Sequence, residues 1–201
     1  MDSHLPQRAL CRAALFCILA VVGWPGIAHE STLHPLTFDR SSDGWPVPDF
    51  SLVDQNGDAL TRQRLYGQWS FVVFGDTACA GPCATALGAL TALRQRIAGT
   101  RVVQSTQIVF VSLDPVRDDA ARLQAYVAPY DKEIVVGTGA PHALRTLADE
   151  LGATQRIGKS RGHDGSLVLV GPEGDVRAVY LPPYDVARLT ADYMIKRARR
   201  H

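Results

Sequence analysis

Cysteine is scarce: the 201-residue chain has four. Two of them, Cys11 and Cys17, fall in an N-terminal segment that reads as a removable leader, which leaves Cys79 and Cys83. That is too few for a framework of disulfides joining distant segments. An excess of charge of one sign is also missing. Against 21 Lys and Arg stand 20 Asp and Glu, and loss of a leader ending at Ala28 removes Arg8, Arg12 and Asp2 to leave 19 of each. Binding a polyanion needs a basic excess on one face, so nucleic acid is excluded as a partner. The basic stretch Lys196-Arg197-Ala198-Arg199-Arg200 reads as a helix C-terminus complementing its dipole. No internal repeat is visible. A composition of 46% hydrophobic and 20% charged residues excludes a disordered or fibrous chain. No Pro-x-x-x-Thr-x-x-Cys pattern surrounds Cys79, which argues against peroxide reduction.

What is present begins with the leader. Arg8 and Arg12 precede an apolar run from Ala13 to Gly23, followed by Trp24, Pro25 and the small-residue site Gly26-Ile27-Ala28. This three-part layout is that of a secretory signal spanning residues 1–28. The run is shorter than the roughly 20 residues a bilayer-spanning helix requires. Cleavage after Ala28 is therefore expected, with an uncleaved N-terminal anchor as the alternative that would associate the chain with a membrane. Either way the rest of the chain is expected outside the cytoplasm, in the periplasm or anchored there. Residues 29–47 show no clear period and read as a flexible lead-in. The folded domain is expected over 48–201.

Within that domain Asp49 to Val53 alternates, Asp54-Gln55-Asn56-Gly57-Asp58 is turn chemistry, and Ala59-Leu60-Thr61 resumes, predicting an N-terminal hairpin. Four near-continuous apolar runs, at 70–74, 108–113, 134–136 and 167–170, suit strands covered on both faces. Helical patterns lie between or after them: Cys83 to Ala98 ended by Gly99, Asp118 to Val127, His142 to Leu151 ended by Gly152, and Asp185 to Arg197. Gly171 to Asp175 turns the chain into a strand at 176–180. The order predicts an α/β fold: a thioredoxin-like mixed sheet with helices on both faces and the hairpin as an N-terminal extension.

Cys79 and Cys83 close the segment Phe74-Gly75-Asp76-Thr77-Ala78-Cys79-Ala80-Gly81-Pro82-Cys83, at the junction of a strand and a helix. At this spacing the two Cα atoms lie about 6 Å apart, which allows either a disulfide or two thiolates on a soft metal. A bridge over so short a loop removes little chain entropy, so a working dithiol is preferred over a structural bond. Three residues separate the sulfurs, rather than the two of an ordinary dithiol-exchange pair. His163 lies in the polar loop Gly158 to Gly165 before the strand at Leu167, and a thioredoxin-like layout turns that loop toward the cysteines. Two thiolates and an imidazole suit Cu(I), and the imidazole admits Cu(II). By spacing alone the signal is weak, since a lone loop His is usually just solvated. Asp114, before Pro115, reads as a turn former at least as readily as a residue supporting the site, and Arg117 with Asp118 as a local ion pair at a helix start. His29, His34, His142 and His201 read as surface or lead-in residues.

From about Pro48 onward the chain resembles the Sco (SenC-type) proteins, copper-binding factors of thioredoxin fold that serve assembly of the copper centre of cytochrome c oxidase. The resemblance rests on three segments in order: the 74–83 segment, Ser112-Leu113-Asp114-Pro115-Val116-Arg117-Asp118, and His163 followed by a strand and Gly171-Pro172-Glu173-Gly174. It implies copper ligands Cys79, Cys83 and His163, a copper metallochaperone as the function, and as partners a copper-accepting oxidase subunit or another copper chaperone, with a thiol reductant. The alternative is a thiol-disulfide oxidoreductase whose redox residues are Cys79 and Cys83. The chain departs from the family pattern at Asp76, in place of an aromatic residue, and at Ala80 and Ala84, in place of prolines. These departures leave the ligands intact and bear on affinity and potential. Asp76 is expected to place a carboxylate beside the thiols that opposes thiolate formation.

Overall fold

A computed structural model describes residues 44–79, 81–153 and 165–199. In chain order the elements are β1 (Trp45–Pro46), β2 (Ser51–Asp54), β3 (Ala59–Thr61), a 3-10 turn (Arg62–Leu65), β4 (Trp69–Gly75), α1 (Pro82–Ile97), α2 (Arg101–Gln104), β5 (Thr106–Ser112), α3 (Ala120–Val127), β6 (Val135–Thr138), α4 (Pro141–Glu150), β7 (Leu167–Val170), β8 (Asp175–Tyr180) and α5 (Val186–Ala198).

Among the described residues these strands form one sheet in the order β1-β8-β7-β4-β5-β6-β2-β3. β4, β5 and β6 run parallel, each connected through a helix, whereas β7 is antiparallel to β4 and β8 antiparallel to β7. This is the expected thioredoxin-like mixed sheet. The expected hairpin is β2–β3, with Leu52 opposite Leu60, and it extends the sheet antiparallel beyond β6. Sequence pattern starts the fold at Pro48, but the sheet begins earlier. Trp45 pairs with Val176, Val47 N donates to Gly174 O at 2.9 Å, and Val47 is fully buried. A two-residue strand at an edge carries too few residues for periodicity to register.

The apolar strands are continuous because both faces are covered. Phe71, Val73, Ile108 and Phe110 face a core closed by Leu87, Leu90 and Leu93 of α1, Leu123 of α3 and Leu189 and Tyr193 of α5. Val72, Phe74, Val109 and Val111 face the opposite core, closed by Leu144, Leu147 and Leu151 on and just after α4 and by the hairpin residues Leu52 and Leu60. Asp119 rather than Asp118 caps α3, its side chain accepting from Arg122 N, and Asp185 caps α5 in the same way. Pro141 occupies the first turn of α4 as the sequence pattern indicates, and Gly152 follows with φ 76°. Pro82 likewise opens α1, one residue before Cys83.

Leu90 anchors α1 on the sheet and is fully buried. Leu90→Ala is expected to cost about 2–5 kcal/mol, read as a lower denaturant midpoint at unchanged slope.

Candidate metal and redox site

Strand direction brings the site together. β4 and β5 are parallel with Gly75 opposite Ser112, so the chain leaves both strands at the same edge of the sheet. β7 is antiparallel to β4, with Leu167 opposite Val73, so the chain enters β7 at that edge. The cysteine turn, the 113–119 connector and the approach to β7 are therefore neighbours.

Cys79 and Cys83 form a disulfide with Cα atoms 5.7 Å apart, within the range the spacing predicts. The two sulfurs are unequal. Cys83 lies on the first turn of α1 and is fully buried, with its sulfur 4.0 Å from Phe74 O. Cys79 is half-buried, and its Sγ accepts a hydrogen bond from Cys83 N at 3.3 Å. The backbone N–H at this helix start is thus directed at the sulfur of Cys79. Close packing sets the chain beneath. A Cβ on Gly75 would run into Cys83 Sγ and approach the Phe110 ring at 3.2 Å. Gly165, at φ 75°, packs its backbone on Pro82: a Cβ there would lie 2.6 Å from Pro82 O, and Tyr184 OH donates to Gly165 O. The chain entering β7 thus rests on the first turn of α1. His163 lies outside the described residues, as does Ala80.

The acidic residues around the turn have roles that the sequence pattern did not indicate. Asp76 Oδ1 accepts from Ala78 N at 2.7 Å and lies 3.7 Å from Arg117, which also pairs with Asp114 at 3.2 Å. A guanidinium thus stands beside the Asp76 carboxylate. Asp118 does not form the ion pair with Arg117 that their adjacency suggested. It is fully buried and accepts from Thr77 N at 2.9 Å, Thr77 Oγ1 at 2.5 Å and Ser112 Oγ at 2.7 Å. Asp114 is a turn former as expected, its carbonyl accepting from Asp118 N at 3.0 Å. Tyr126 of α3 donates to Cys79 O at 2.8 Å. Burial first, then the charges of Tyr130, Asp76 and Asp118, push the Tyr126 phenol above its usual range, so it remains a donor at neutral pH. No local pattern marks Tyr126, because its partner is 47 residues away. His142 is exposed, as its sequence context indicates.

A sequence model of the SCO1/SenC family matches residues 41–196. The chain belongs to the SCO1/SenC family. This SCO1/SenC chain is 33% identical over 178 residues to a protein of Stutzerimonas stutzeri described, by inference, as copper-binding, covering 85% of each. It is 30% identical over 161 residues to the mitochondrial protein SCO1 homolog 1 of Arabidopsis thaliana, covering 76% of this chain and 47% of that one. The chain thus spans about half the length of the latter relative. Among solved structures, that of Arabidopsis thaliana ScoI with copper bound is similar with a TM-score of 0.66 and 26% identity, over 76% of this chain and 98% of that one.

As it stands, the site of this family member is a closed disulfide. Opening it takes two electrons and two protons and yields two thiols on one turn. Because Cys83 is buried and Cys79 is not, alkylation of the reduced protein should label Cys79 well before Cys83, read by mass mapping of the peptides. Equal labelling would contradict the asymmetry. Gly75→Ala should displace Cys83 and lower stability by about 1–3 kcal/mol, measured by denaturation of the oxidised protein.

Proposed function

We propose that this chain is an exported copper carrier in which Cys79 and Cys83, once reduced to thiolates, bind Cu(I) and His163 supplies a third ligand. The observation that carries the reading is the meeting of the cysteine turn with the approach to β7: Gly165 packs on Pro82, beside Cys83. His163 stands two positions before Gly165 in the sequence, which is what the reading takes from this contact. The donor set fits the metal, since thiolates select Cu(I) and an imidazole also admits Cu(II). Among the described residues no three His, Cys, Asp or Glu side chains group as a metal site, and His163 is not one of those residues. The Stutzerimonas stutzeri relative, described by inference as copper-binding, and the copper-bound ScoI structure support the same metal.

The chain's own residues divide the work. Cys79, the reachable sulfur, meets an incoming thiol or thioether of the recipient, and Cys83 is sheltered in the closed state. Ligand exchange at a site with one open side then passes the ion on. The recipient is a copper-accepting subunit of cytochrome c oxidase or another copper chaperone, and a thiol reductant opens the disulfide beforehand. The signal-like layout of residues 1–28 supports a domain outside the cytoplasm, free or held by an uncleaved leader.

The closed disulfide favours one other reading, a thiol-disulfide oxidoreductase that uses the same pair to reduce a partner. His163 separates the two, because exchange needs only a thiolate and access to it. Anaerobic titration of the reduced protein with Cu(I), against a competing chelator, should give one copper per chain. Binding should be lost in Cys79→Ser and weakened about 100-fold in His163→Ala, with disulfide exchange by His163→Ala unchanged. Full copper retention in His163→Ala would remove the imidazole from the site.

A further inference from the structure

Asp118 is a fully buried acidic side chain to which the copper reading gives no task. Burying a carboxylate is costly unless donors satisfy it. Two of its donors, Thr77 N at 2.9 Å and Thr77 Oγ1 at 2.5 Å, belong to the residue two positions before Cys79. Another, Ser112 Oγ at 2.7 Å, is the last residue of β5. The carboxylate therefore ties the cysteine turn to the end of a central strand. The far end of the turn is held as well, with Cys79 N donating to Asp76 O at 3.1 Å and Cys79 O accepting from Tyr126 at 2.8 Å. None of these bonds involves the sulfurs, so breaking the bond between the sulfurs does not itself remove any of them.

We propose that Asp118 is a positioning residue for Cys79, acting through Thr77: it holds the cysteine turn in the dithiol form as firmly as in the disulfide form, and so keeps the two sulfurs within bonding reach of each other. The proposal rests on the Cys79 and Cys83 part of the reading above and is independent of His163. In the disulfide form the covalent ring already confines the turn, and the anchor adds little confinement. In the dithiol form the anchor is what confines it. Removing the anchor therefore releases conformational entropy mainly in the dithiol, which shifts the balance away from the disulfide.

The test is the equilibrium of the copper-free chain with dithiothreitol. Reduced dithiothreitol supplies two electrons and two protons. The bond between Cys79 Sγ and Cys83 Sγ breaks, both sulfurs become thiols, and dithiothreitol closes to its cyclic disulfide. Thiols are trapped with an alkylating agent at each reductant ratio and counted by mass. Thr77→Val removes the hydroxyl donor, keeps the backbone donor, and should move the constant about tenfold toward the dithiol, equivalent to about 30 mV. Thr77→Ser keeps a hydroxyl and should stay within about twofold of the unaltered chain. Asp118→Asn should shift the constant in the same direction as Thr77→Val, and if it does not fold, the Thr77 pair decides alone. A purely architectural bond would lower the unfolding midpoints of both redox forms equally and leave the constant where it was. That result, or a Thr77→Ser shift as large as that of Thr77→Val, overturns the proposal. Because no copper is present, failure of the copper titration would leave this measurement intact, and the reverse also holds.

Discussion

Strand direction within one sheet is the constraint on which the rest of this molecule depends. β4 and β5 run parallel and end in register at Gly75 and Ser112, while β7 enters against them opposite Val73. Parallel neighbours discharge their chains at a common edge, and an antiparallel neighbour receives its chain there. Segments separated by dozens of residues are thereby gathered: the cysteine turn, the connector bearing Asp118, and the stretch that leads into β7. Leu113 N donating to Gly75 O at 2.7 Å carries the ladder one step past the strands and holds the edge closed at that point.

Two different energies maintain this edge. Beneath it the strands are buried on both faces, between α1, α3 and α5 on one side and α4 with the hairpin on the other, and burial of that apolar area is the dominant favourable term. At the edge itself the chain leaves regular structure, and its backbone groups need other partners. Asp118, the Asp76 side chain and the Tyr126 hydroxyl provide them for residues 77–79. The polar partners place one sulfur within reach of solvent, and the apolar core encloses the other. That difference in surroundings, not a difference in the residues, gives the two cysteines distinct chemistry.

Much of the architecture was legible along the chain. The apolar runs from Ser70 and Ile108 became β4 and β5, and the run from Leu167 became β7, because continuous burial on both faces leaves a continuous apolar signature. Proline at Pro141 and glycine at Gly99 and Gly152 marked helix ends, because each imposes a backbone constraint local enough to be read locally. The illegible parts share one cause. Arg117 and Asp118 are neighbours in sequence, yet the first points to Asp76 and Asp114 and the second into the interior toward Thr77. Tyr126 serves Cys79 from the adjacent helix with nothing near it to betray the contact, and β1 is too short for any period to show.

By itself, then, the amino-acid order determined the alternating elements and the spacing that lets Cys79 and Cys83 close. These follow from periodicity, backbone constraint and short-range geometry, which act over a few residues. Only the tertiary structure decided which sulfur is reachable, which acidic group is buried, and that the approach to β7 rests on the first turn of α1. Those outcomes depend on which strands become neighbours and in which direction they run, and that is settled by packing over the whole sheet rather than by any local stretch of chain.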